Sequence, residues 1–311
     1  MITAAIIIGI LIILILGISY YSYRMAFYSG AKNPAEYKLK LPKGEIYQRE
    51  YDRAISYIKV LNEMDYEKVR IKAHDGTPLA ARYYHVSDGA PVHIEFHGYR
   101  SRATTDFCGI NVLVRELGHN TLLVDQRAHG ESGGKTISFG IKERLDCLDW
   151  INYTLDRFGK DTKIILSGLS MGAATVLMAS ELELPQNVVG IMADCPYSSP
   201  KEIIMKVGKD MHFPPRLMLP FVWLGGFLFG QFNLFESSAL EAIKTSEIPI
   251  LILHGDADEL VPCEMSQSLQ TSGAKDITVE LFEKAGHGLS YIISPENYEK
   301  AVLNFVNRCL T

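Results

Sequence analysis

The sequence predicts an α/β fold, and three observations predict it. Apolar runs of strand length recur near residues 92–96, 121–125, 163–167, 188–193, 249–253 and 277–282. Helical stretches separate them near 103–117, 140–158, 171–182, 262–271 and 295–309. Strand–helix alternation of this kind gives a mostly parallel sheet covered by helices on both faces. Two further strands, Val69–Ala73 and Leu79–Val86, flank Asp75-Gly76, a strong hairpin turn signal, and bring the sheet to eight strands.

Ahead of this pattern, Ile2–Ile18 is almost unbroken Ile, Leu, Ala and Gly. That is long enough to cross a bilayer, with Tyr20, Tyr21 and Tyr23 placed for the interface. No Lys or Arg precedes the run and no A-x-A-like site follows it, which favours an uncleaved anchor over a signal peptide. The anchor is assigned to residues 1–23, and residues 24–68 to a polar linker with a helix over Glu45–Asn62. The sheet domain occupies 69–311. Alternation pauses between Pro196 and Ile248, so a small helical cap is expected over about 197–247. Its aromatic stretch Leu217–Phe229 is broken by Pro and Gly, which argues against a second span. Two uses fit that stretch: packing its apolar face on the domain, or lining an acyl pocket and touching the bilayer.

The segment Gly168-Leu169-Ser170-Met171-Gly172 carries the chemistry. It joins a strand run to a helix run, the setting of a nucleophile elbow. Ser170 is the expected nucleophile, and small neighbours let strand and helix close around it. A serine hydroxyl needs a base, and the base needs an orienting acid. His287 sits between Gly286 and Gly288 after a strand, and Asp256 and Asp258 follow another. Asp194, also past a strand end, is a third candidate acid. Upstream, His97-Gly98-Tyr99 ends a strand. The backbone amides of Tyr99 and Met171 are the expected oxyanion donors. His97 is read as structural, and Asp125 and His129 as turn-stabilising.

On these motifs, with His74–Leu79 and Asp125–Ser132, the chain resembles the α/β-hydrolase superfamily over roughly residues 69–310. Within it the chain is similar to membrane-anchored bacterial hydrolases of the Bem46-like group. The resemblance implies an α/β-hydrolase fold and the chain order Ser, Asp, His. Its His-Gly-x-x-Asp pattern selects Asp258 as the acid, with Asp194 as runner-up. One departure is Gln126-Arg127-Ala128, where many relatives read Tyr or Phe, Arg, Gly; a local effect is expected.

The implied activity is a serine hydrolase that cleaves carboxylic esters of apolar or lipid-like acyl substrates. Peptidase, amidase and acyl-thioesterase chemistry on the same three residues is the alternative. A net charge of −5 gives no basic signature for nucleic acid. No metal or nucleotide-cofactor motif occurs, so neither a metal nor a cofactor is expected. The five cysteines, Cys108, Cys147, Cys195, Cys263 and Cys309, are scattered and read as small core residues rather than a disulfide framework. Arg24, Lys32, Lys38, Lys40 and Lys43 follow the anchor, which by the positive-inside rule puts the domain on the cytoplasmic side. The family resemblance points outward.

Overall fold

The computed structural model describes residues 1–30, 45, 48 and 51–311. Eight strands form one sheet: β1 Glu67–Lys72, β2 Pro78–Tyr84, β3 Val92–Phe96, β4 Asn120–Asp125, β5 Ile164–Leu169, β6 Val188–Asp194, β7 Ile250–Gly255 and β8 Ile277–Phe282. Their order is β1-β2-β4-β3-β5-β6-β7-β8. The β1–β2 and β2–β4 pairs are antiparallel, and the other five pairings are parallel. Each expected strand is present, with ends displaced by at most a few residues.

Two-residue periodicity sorts the strand side chains into two cores. On one face lie Ile94, Leu122, Leu166, Ile191 and Ile252. On the other lie Leu123, Ile165, Met192, Leu251 and Leu253. Because both faces are covered, the parallel strands read as continuous apolar runs rather than as alternation. Helices α4 (Glu143–Phe158) and α5 (Met171–Ala179) bury Trp150, Ile151 and Val176 on the first face. Helices α2 (Tyr51–Glu63), α3 (Cys108–Glu116) and α8 (Pro295–Leu310) bury Leu61, Leu113 and Val302 on the second. The expected helix over 103–117 is two pieces, because a one-turn helix Ala103–Asp106 ends at Phe107 before α3 begins. The start of the expected 45–62 helix, Ile46 included, and the basic residues Lys32, Lys38, Lys40 and Lys43 lie outside the described residues.

Between β6 and β7 the chain makes an all-helical excursion. It contains α6 (Pro200–Asp210), α7 (Pro215–Gly225), a widened turn Gly226–Gly230 and a short helix Ala239–Ala242. Ser199 caps α6 by accepting the Glu202 amide at 3.1 Å, and prolines open both α6 and α7, where a missing N–H is harmless. Arg144 on α4 fastens the base of the excursion, pairing with both Glu181 and Glu236 at 2.8 Å.

The apolar N-terminal helix α1 spans Ile2–Ala26, three residues past the anchor read from sequence. Its first two-thirds project from the domain, and its last turns pack on it. Ser19 and Ser22 are buried, and Phe27 is fully buried between the rings of Phe139 and Phe232, edge-on to each. Tyr28 forms an antiparallel bridge with Thr136, so the chain is tied to the domain here rather than entering a linker directly. The contact with α7 is backbone to backbone. A Cβ at Gly225 would collide with the Ser19 carbonyl oxygen. Gly225→Val should therefore separate α1 from α7 and destabilise the protein by about 1–3 kcal/mol, a typical overpacking cost. Thermal unfolding in detergent should show this as a melting point lower by several degrees. An unchanged melting point would mean that the contact is not tight in solution.

Candidate active site

The elbow is built by exclusion of side chains. Ser170 stands between β5 and α5 with φ 55° and ψ −113°, a conformation disfavoured for any residue with a Cβ. Its amide donates to the Asp194 carbonyl at 2.8 Å, fixing the turn to the end of β6. A Cβ on Gly172 would strike the Phe96 carbonyl, and one on Gly168 would strike the backbone of Gly172. Both positions need glycine because α5 starts in contact with β3 and β5. This close approach presents the serine hydroxyl at the helix N-terminus.

Three side chains from three loops meet there. The Ser170 hydroxyl lies 2.9 Å from His287 Nε2, and His287 Nδ1 lies 2.7 Å from Asp258 Oδ2. The other Asp258 oxygen accepts the amides of Leu260 and Val261 at 2.9 and 2.8 Å. Burial opposes charge on Asp258. The hydrogen bonds from His254 and His287, the attraction of His287 and the Val261 amide outweigh it and hold the carboxyl well below the usual carboxylate range. The carboxylate thus orients His287 with Nδ1 protonated, leaving Nε2 free to accept the serine proton.

His254 is the first residue of the His-Gly-x-x-Asp pattern that selects Asp258. It is fully buried beneath that carboxylate. Its Nε2 faces the Val261 carbonyl at 2.9 Å and Asp258 Oδ2 at 3.2 Å, both acceptors, so Nε2 carries the proton. Its Nδ1 then accepts from the Ser266 hydroxyl at 2.6 Å. The four-residue spacing from Asp258 was the available signal, but only the turn after β7 makes it a contact. Asp106 went unnoticed in the sequence for the same reason. It accepts the Gly98 amide and the Ser101 hydroxyl, each at 2.6 Å, and pins the turn beside Ser170.

That turn carries Tyr99. A Cβ on Gly98 would lie 3.4 Å from the Ser170 Cβ, so the turn passes close to the serine. Among the described residues, neither the Tyr99 nor the Met171 amide donates to an intramolecular acceptor. The Tyr99 hydroxyl donates to the Ala26 carbonyl at 2.8 Å, and the Arg100 guanidinium reaches the Met25 and Tyr28 carbonyls at 3.0 and 3.1 Å. The C-terminal carbonyls of α1 are capped by the same turn that faces Ser170.

Asp194 is apart from His287 in hydrogen bonding: one oxygen accepts the Tyr298 hydroxyl at 3.0 Å and the other has no partner among the described residues. His97 is fully buried, donating through Nδ1 to the Gly98 carbonyl and accepting the Gln126 amide at Nε2. Asp125 accepts the Glu131 amide and His129 accepts the Arg100 amide, so both brace turns. The Gln126 side chain links the His97 carbonyl to the Thr175 hydroxyl, a local brace between β3 and α5. Asp256 accepts the Lys284 amide at 2.6 Å. Cys195 packs beside the site with Sγ 4.0 Å from His287 Nε2, and burial pushes its thiol pKa well up.

Two cavities of different character meet at Ser170. One, of about 350 Å³, is walled by Met25 and Ala26 of α1, by Met171, and by Ile203, Val207, Met218 and Leu219 of the excursion. The other, of about 260 Å³, runs under Tyr99 and His287 past Phe107 and Ile110 to a floor containing Ser167, Asp194 and Tyr298. Ser167 Oγ is also without a partner among the described residues.

A model of the alpha/beta hydrolase fold matches residues 96–222. A Pyrococcus furiosus esterase, Pf2001, superposes with a TM-score of 0.65 at 25% identity, covering 80% of this chain and 93% of the esterase. The chain has the alpha/beta hydrolase fold. It is 25% identical to the uncharacterized Bacillus subtilis protein YqkD over 266 residues, 85% of this chain and 86% of YqkD. It is 24% identical to the Schizosaccharomyces pombe protein bem46 over 204 residues, 64% of this chain and 62% of bem46.

Asp194 gives this site a pH signature. Burial raises its carboxyl to about 6, against an ordinary value of 3.8. Folded protein therefore holds a proton that unfolded chain releases, and stability from this group falls as pH rises from about 4 to about 6. Asp194→Asn keeps an acceptor for Tyr298 and removes the penalty. The variant should gain on wild type by up to a few kcal/mol at pH 7, with the gap narrowing toward pH 4. Denaturant melts across that range check it; a gap that does not change with pH would sink the assignment.

Proposed function

We propose that this protein is a membrane-anchored serine esterase acting on carboxylic esters with apolar acyl groups. Ser170 is the nucleophile, His287 the general base and acid, and Asp258 the orienting carboxylate. The amides of Tyr99 and Met171 bind the oxyanion. The observation that carries this reading is the unbroken hydrogen-bond run from Asp258 through His287 to Ser170, beside an apolar cavity.

The chemistry follows from the geometry. As the Ser170 oxygen attacks the ester carbonyl, its proton passes to His287 Nε2. The imidazolium that forms is stabilised by the ionised Asp258 at Nδ1. The carbonyl oxygen, now negative, takes two hydrogen bonds from amides already oriented, each worth roughly 3 kcal/mol in the transition state. His287 returns the proton to the departing alkoxide, leaving an acyl-serine. Water deprotonated by His287 then attacks that acyl group, and Ser170 leaves with the proton restored.

The anchor is part of the same proposal. Helix α1 is long and apolar enough to cross a bilayer, and only 6% of its most apolar window is buried in the protein. Burial of Ser19, Ser22 and Phe27 on the domain supports a helix that is retained rather than cleaved. The basic residues that follow it in the sequence support a cytoplasmic domain.

The test is turnover of p-nitrophenyl esters from acetate to palmitate by the full-length protein in detergent. Ser170→Ala should abolish turnover and fluorophosphonate labelling while leaving the melting point within a few degrees. Asp258→Asn should lower kcat by about 10³–10⁴-fold, as loss of the correct tautomer does elsewhere, and Asp194→Asn by far less. Serine labelling without turnover of any ester would redirect the proposal to amides or thioesters. Turnover that survives Ser170→Ala would refute it. For orientation, external protease should leave the domain intact in spheroplasts and digest it after lysis.

A further inference from the structure

We propose that the helical excursion between β6 and β7 seats on the same bilayer leaflet from which α1 emerges. The apolar cavity beside Ser170 then opens into lipid rather than into water, and takes the acyl chain of a lipid ester directly from that leaflet. The acyl-chain part rests on the esterase reading above; the docking surface does not.

Four observations place the surface. First, the excursion exposes large apolar side chains that no described residue covers: Leu217 at 66%, Phe227 at 53% and Leu228 at 44%. Single exposed apolar residues are ordinary, but a contiguous set on one element marks an interaction face. Second, the set is continuous with the lipid-facing part of α1. Tyr20 meets the Phe229 ring edge-on at 5.1 Å, and Gly225 packs on the Ser19 backbone. Ile2–Ile18 would span the hydrocarbon, which puts Ser19–Tyr23 and the packed α7 at headgroup level.

Third, the cavity reaches the surface on the same excursion. Met211 and Phe213 are exposed and also line the cavity, as do Met25 and Ala26 at the end of α1. Fourth, the reach is short. From Ser19 to Ala26 the helix rises about 10 Å, so the cavity lies within about one headgroup layer of the hydrocarbon edge. An acyl chain entering beside α1 reaches Ser170 without crossing bulk water, and its desolvation is already accomplished in the membrane. Helices whose apolar face is buried a few ångströms into the interface bind in this way.

The experiment uses the full-length chain in phosphatidylcholine vesicles, with brominated acyl chains as quencher. The wild-type emission comes from Trp150 and Trp223, so each variant is read against it. Leu228→Trp should add blue-shifted, quenched emission beyond that of wild type. Lys160→Trp, on an exposed position ahead of β5 at the sheet end opposite Ser170, should add emission that is not quenched. A Leu228→Trp that adds no quenched emission overturns the docking surface, whether the face is bare or covered by a second copy of the chain. The triple variant Leu217→Ser, Phe227→Ser, Leu228→Ser should keep wild-type turnover of the water-soluble acetate ester. On a long-chain ester dissolved in the vesicles it should lose at least about tenfold. Equal turnover of the vesicle ester by variant and wild type would overturn lateral entry. Failure of wild type on both esters would sink the esterase reading alone, with quenching still deciding the surface.

Discussion

The approach of the Gly172 backbone to the Phe96 carbonyl is the contact on which the rest of the site depends. It draws the first turn of α5 against β3, and that forces Ser170 into a positive-φ turn. The strain of such a residue persists only when its surroundings over-determine it. Here they do: the Ser170 amide is held by the Asp194 carbonyl, Gly168 abuts Gly172, and Gln126 braces β3 against Thr175. With the serine fixed, parallel strands β3, β6, β7 and β8 deliver the remaining loops to the same sheet edge. The carboxyl ends of parallel strands are where α/β sheets place ligands.

Charge is handled at this edge by two carboxylates in opposite environments. Asp258 receives two amides and faces two imidazoles, so it stays ionised despite burial. Asp194 receives one tyrosine hydroxyl and its other oxygen has no partner among the described residues, so burial prevails and its carboxyl holds its proton longer. The difference explains why a side chain with the right residue type, just past a strand end, is nonetheless unlike the acid of a relay. Environment separates the two, not proximity to Ser170 alone.

The N-terminal helix is more closely joined to the site than an anchor on a tether would be. Its last carbonyls accept hydrogen bonds from Tyr99 and Arg100, and its side chains wall the apolar cavity. The turn that faces Ser170 is therefore held from two directions, by Asp106 from within the domain and by the end of α1. An N-terminal helix that completes a cavity wall makes the domain without it a different object, with Phe139 and Phe232 uncovered.

Much of this was legible in the sequence. The strands were visible because buried parallel strands are apolar on both faces, and turn residues punctuate them. The elbow was legible because strand, Gly-Leu-Ser-Met-Gly and helix are adjacent in the chain, and so was the length of the apolar segment. Ser170 and His287 could be named because each follows a recognisable strand, whereas Asp258 was one of three candidate carboxylates and was singled out by the His-Gly-x-x-Asp pattern of the resemblance. What the sequence left undecided were pairings between residues far apart in the chain or separated by an unread turn. Between Asp194 and Asp258, only the placement of the loops after β6 and β7 decides which carboxylate meets His287. His254 and Asp106 have no signature, since their partners are defined by turn geometry. The extension of α1 into the site was also hidden. An apolar run reads as a membrane span over its whole length, and only tertiary packing shows where the exposed part of the helix ends and the protein-facing part begins.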